Sequence, residues 1–100
     1  MKGMQRLKGE TKQGEKPEWR PLLNLVGEDG VDQFMWMFEV TLSDESDLHA
    51  YKHIETRRYL HLDSKGRAFA YEEADRYRQI AVLDLAALVL PGLRYDLWPL

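Results

Sequence analysis

Apolar and polar positions alternate most cleanly in QFMWMFEVTL, residues 33 to 42. Phe34, Trp36, Phe38, Val40 and Leu42 recur at period two, and Met35, Met37, Glu39 and Thr41 fill the positions between them. Successive side chains of a strand point to opposite faces, so this spacing predicts a central strand with the first set in the core. The two methionines give its second face partial cover. SDESD, residues 43 to 47, is a polar turn cluster. Beyond it Leu48, Ala50, Lys52 and Ile54 alternate with His49, Tyr51, His53 and Glu55. Arg58, Leu60 and Leu62 then alternate with Arg57, Tyr59 and His61, which predicts a hairpin. Asp63 to Gly66 reads as a further hairpin connection, with RAFAYE (67–72) as the returning strand and RYRQIA (76–81) as a fifth.

Two segments depart from period two. In PEWRPLLNLVGEDG, Pro21 suits a first helical position and Gly27 a helix end, which allows a short helix over 21–26. A short strand there is the alternative. VLDLAALVL, residues 82 to 90, is apolar almost all round apart from Asp84 and stops at Pro91-Gly92, which predicts a C-terminal helix. Residues 1 to 16 have one Leu, two Met and no aromatic, too little apolar surface to offset ordering. The expected organisation is a disordered basic arm over 1–18 and a single α+β domain over 19–100. That domain would be a four- or five-stranded antiparallel β-meander with a C-terminal α-helix. An all-apolar helix needs cover on every side. Either the sheet curls into a small barrel around it, or another chain covers it.

Charge and composition narrow the function classes. Net charge is −3, against the basic excess normal for a nucleic-acid binder. The charge is divided: residues 1–20 carry six basic and three acidic groups, residues 21–100 eight basic and fourteen acidic. There is no cysteine, which excludes disulfides and thiolate metal sites and fits a reducing compartment. No apolar run looks like a signal peptide or a membrane span, so the expected location is cytoplasmic.

All three histidines lie in LHAYKHIETRRYLHLD, residues 48 to 63. On a helix, His49 and His53 would stand one turn apart, a possible metal spacing. However, ETRR breaks the apolar stripe, and Ala50 stands where a H-E-x-x-H zinc helix needs Glu. On a strand the two are about 13 Å apart at ~3.3 Å per residue, too far to share one zinc. If Leu60 and Leu62 join Leu48, Ala50 and Ile54 in the core, His49, Tyr51, His53, Tyr59 and His61 share the other face, with Arg57 and Arg58 at its edge. Such a face suits a base, a ring or a partner chain, and equally the polar outer face of a small sheet.

KGRAFAYE, residues 65 to 72, is similar to the RNA-recognition signature K/R-G-F/Y-G/A-F-V-x-F/Y. Arg67 and Glu72 replace two of its stacking aromatics, and a four-residue turn leaves no room for the first crossover helix, so the match reads as accidental. Ser43, Ser46 and Ser64 sit in turns without a nucleophile elbow, and there is no glycine-rich phosphate loop. Neither an enzyme, a metal site nor a cofactor is expected. The tail PGLRYDLWPL adds Leu93, Tyr95, Leu97 and Trp98 to an already apolar C-terminal segment. Large apolar surfaces usually mark interfaces. The expected function is therefore a non-catalytic protein-interaction module, self-associating or docking a partner through that helix and tail. The alternative is a nucleic-acid binder using the basic arm and the His/Tyr/Arg face.

Overall fold

The computed structural model describes residues 6–12 and 16–81. In chain order the elements are β1 (Arg6–Lys12), α1 (Arg20–Val31), β2 (Phe34–Leu42), β3 (Asp47–His53), β4 (Tyr59–Asp63), β5 (Ala68–Glu72) and β6 (Arg76–Ile80). Each strand pairs antiparallel with the next, and β1 also pairs with β6, so the sheet closes into a six-stranded barrel. This corrects the expected four- or five-stranded α+β meander, and it corrects the disordered arm, since residues 6–12 are a stave of the barrel. Its one described helix, α1, lies N-terminal to β2 and packs against the outside. The expected helix over 82–90 lies outside the described residues.

β1 has little apolar surface, yet it takes both open edges of the sheet. Its hydrogen-bonding groups serve β2 on one side and β6 on the other, which removes every edge. Leu7 packs into the interior cluster. Gly9 must be small: a Cβ there would lie 2.5 Å from Val40 Cγ1 and 2.6 Å from Tyr77 Cε1.

The barrel is buried on two faces. Inside, Val40, Leu42, Leu48, Phe69 and Tyr77 form one cluster, joined by Leu7 and Phe38. Outside, Phe34, Tyr51, Leu60, Leu62 and Ala68 form a second cluster with Leu22 and Val26 of α1. Pro21 opens α1, and Gly27 at φ 78° interrupts it near its middle. The two clusters explain why β3 is buried on both sides over Leu48–Tyr51.

β2 serves both clusters because it is bulged. Trp36 pairs with Tyr51 and Phe38 with Ala50, adjacent residues of β3, so one extra residue enters β2 between them. Phe34 and Trp36 therefore face α1, whereas Phe38, Val40 and Leu42 face the interior. The single apolar face expected for all five is corrected to two half-faces.

One end of the barrel is shut by charge. Asp63, at the end of β4, is fully buried. It accepts the Arg67 Nε–H at 2.6 Å and the backbone N–H groups of Lys65 and Arg67 at 3.0 and 2.8 Å. The same guanidinium reaches across to Asp44 Oδ2 and Ser46 Oγ, both at 2.9 Å, tying the β4–β5 turn to the β2–β3 turn. Hydrogen bonds from the Ser46 hydroxyl and backbone N–H, aided by Arg67, hold the Asp44 carboxyl down at about 2.

Candidate ligand site at the barrel mouth

The β3–β4 register decides where the histidine stretch goes. Tyr51 pairs with Leu60 and Ala50 with His61. His49, Tyr51 and His53 therefore lie on the outer face with Leu60 and Leu62, while Tyr59 and His61 lie on the inner face with Ala50. The His/Tyr/Arg residues considered together in the sequence are thus divided between the two sides of the wall. Arg57, at φ 64°, and Arg58 are exposed on the connecting turn. Leu93, Tyr95, Leu97 and Trp98 lie outside the described residues.

The outer histidines have structural partners. His49 Nδ1 accepts the Trp36 indole N–H at 3.1 Å. His53 Nδ1 accepts the backbone N–H of Thr56 at 3.1 Å, which leaves Nε2–H to face Gln33 Oε1 at 3.2 Å. The Tyr51 hydroxyl donates to the Glu18 carbonyl, and its ring lies 5.8 Å from that of Trp19. Burial, with the Glu18 carboxylate adding to it, raises the Tyr51 hydroxyl pKa well above its ordinary value. Among the described residues no group of three or more His, Cys, Asp or Glu is placed to hold a metal ion.

The inner face leads to a cavity of about 380 Å³ at the end of the barrel opposite Asp63. Its wall comes from nearly every strand: Thr11 of β1, Phe38 of β2, Tyr59 and His61 of β4, Tyr71 of β5, Tyr77 of β6 and Asp75 of the β5–β6 turn. β3 contributes the gap. Ala50 pairs with both Phe38 and His61, so a methyl group stands between two rings and leaves space above it. Phe38, Tyr59, Tyr71 and Tyr77 were not joined as one site in the sequence; alternation marks them as inward-facing only once the bulge and the register are known.

The rings touch in sequence around the wall. Phe38 and Tyr59 are 6.3 Å apart, Tyr59 and His61 stack at 5.8 Å and 15°, and His61 meets Tyr77 edge-on at 5.4 Å. Tyr71 meets Tyr77 edge-on at 5.2 Å. His61 is only 7% exposed, and burial pushes its imidazole down to about 4, so the ring is neutral at pH 7. None of the described residues hydrogen-bonds its ring nitrogens, and neither nitrogen is both sealed from solvent and unpartnered. The cavity is what they open onto. Burial, with Tyr71 and Asp75 adding to it, pushes the Tyr77 hydroxyl up to about 12.

Two other clefts, each of about 400 Å³, lie outside the barrel. One runs between Trp19 and Leu23 of the helix side and Phe34; the other lies by Gln33, His53 and Ile54. Neither holds a buried polar side chain without a partner. Compared with known protein families, curated proteins and solved structures, the chain matches none.

Proposed function

We propose that this protein is a non-catalytic binding domain whose ligand sits in the barrel mouth. The observation that supports it is His61, a buried neutral imidazole without a hydrogen-bond partner among the described residues, lining an aromatic-walled cavity. A buried polar group costs free energy unless it is paired, and one that opens into a cavity is satisfied by what fills it. Mouths of small barrels are recurrent ligand sites, and apolar walls with a few placed polar groups are their usual lining. Among the described residues no hydrogen bond joins His61 to a carboxylate or hydroxyl that would form an acid–base relay, which favours binding over catalysis. The test is amide chemical-shift mapping against a small library of mixed chemistry. Shifts converging on Tyr59, Tyr71 and Tyr77 are expected; shifts confined to the outer clefts would overturn the reading.

A second proposal is a protein interface, self-associating or with another partner, through the apolar segment beyond Ala81. It is favoured by the apolar residues left on the outer surface, Trp19 at 37% and Met35 at 44% exposure, which continue that chemistry. Removing residues 91–100 should abolish association in sedimentation; unchanged association would exclude it. The nucleic-acid alternative is weakened because its face is divided between the inside and outside of the wall.

A further inference from the structure

We infer that the barrel mouth selects an organic ammonium ion, an alkylamine in its protonated or methylated form. The inference rests on the reading of the mouth as a ligand site and names the chemistry it takes. Four aromatic rings, Phe38, Tyr59, Tyr71 and Tyr77, come from four different strands to line one opening. Ring faces carry a negative quadrupole, and cages of such faces attract alkylammonium ions. Among the described residues Asp75 is the one carboxylate in the lining, and it supplies the counter-charge. His61, neutral at the wall, does not repel a cation and offers an ammonium N–H a nitrogen that no described residue engages.

The chain already contains a small instance of the same contact. Lys52 Nζ lies 5.9 Å from the centre of the Tyr59 ring. Lys52 is not among the lining residues, but its charge competes for that ring. Other ligand classes fit less well. An anion would meet Asp75 with no cationic side chain among the described lining residues. A flat neutral ring needs two parallel faces about 7 Å apart, twice the ~3.5 Å contact distance. The one near-parallel pair of rings in the wall, Tyr59 and His61, is already in contact at 5.8 Å, and the Tyr71–Tyr77 and His61–Tyr77 pairs stand edge to face.

The experiment is a titration of the whole chain, followed through the backbone amides, with choline, n-butylammonium, 3,3-dimethylbutan-1-ol, phenol and benzoate. The alcohol has the shape of choline without its charge. Both ammonium ions are expected to shift the Tyr71, Asp75 and Tyr77 amides and to bind about five-fold or more tighter than the alcohol. Tyr71 is half-exposed, so Tyr71→Ala should fold and weaken choline binding by a similar factor, as should Asp75→Asn. Lys52→Met should strengthen it. An N-acetyl-lysinamide that binds tighter than n-butylammonium would put the cation on a partner chain; the reverse order would make it a free amine. If the alcohol, phenol or benzoate binds the mouth as tightly as the cations, the ammonium assignment is overturned while the mouth stands as a site. If none of the five moves the mouth amides, both are overturned.

Discussion

At one end of the barrel Asp63 is fully buried and accepts three hydrogen bonds; at the other His61 is nearly as buried and accepts none from the described residues. Both are polar side chains on β4, two residues apart, pointing to the same interior. Removing a polar group from water is unfavourable in both places. At the Asp63 end the loss is offset within the chain, by Arg67 and two backbone amides. At the His61 end it is limited by keeping the imidazole uncharged and leaving it open to the cavity. An end whose polar groups satisfy one another holds the fold together, and an end whose imidazole has no partner among the described residues and lines a cavity is where a ligand adds something.

The largest expected effect is at the closed end. Asp63→Ala leaves the Arg67 Nε–H and two backbone N–H groups without their acceptor and should cost roughly 3–5 kcal/mol, read as a lower urea midpoint. A midpoint within error of the parent would mean that the network does not close the barrel. Next comes acid sensitivity at the open end. The unfolded chain takes up the His61 proton near 6.5 and the folded chain only near 4, so between these values the unfolded state binds more protons. Stability should therefore fall as pH drops through that window, by roughly 3 kcal/mol in all, and level off below it. Denaturation at pH 7 and pH 4.5 of the parent and His61→Leu checks this, since the variant should lose less; equal losses would assign the acid sensitivity to other groups.

Gly9→Ala, between the two ends, should cost about 1–3 kcal/mol, because its methyl group meets Val40 and the Tyr77 ring. A neutral thermal shift would show that β1 moves outward freely. The smallest effect belongs to the rim. Tyr71→Ala, with 51% of the residue already exposed, should change stability by about 1 kcal/mol or less while lowering ligand affinity. A large stability loss with intact binding would reverse the roles assigned to the two ends.

The sequence made parts of this molecule legible and hid others for definite reasons. Alternation places strands over the residues that become β2 to β6, because inward and outward positions differ sharply in polarity there. β1 escaped because Leu7, Gly9 and Thr11 form too weak an apolar face; what holds it is pairing to two edges, which composition does not show. The bulge in β2 was invisible because Phe34, Trp36, Phe38, Val40 and Leu42 are apolar on either side of it. The mouth depended on register. With His61 opposite Ala50 rather than in line with His49, one imidazole goes inside and two go to the outer face. Asp63 read as a turn residue, since its buried partner Arg67 is an ordinary charge in the sequence.

The seam between β1 and β6 bears on how the chain reaches this state. Arg6 and Glu72, joined across that seam region, are 66 residues apart in sequence. Contacts of such separation form late and make folding slow, because the chain between them must be ordered first. A form in which β1 has not docked would leave β2 and β6 with unsatisfied edges, open to pairing with another molecule. By pairing with both strands, β1 covers those edges, so closing this seam also guards the sheet against edge-to-edge association.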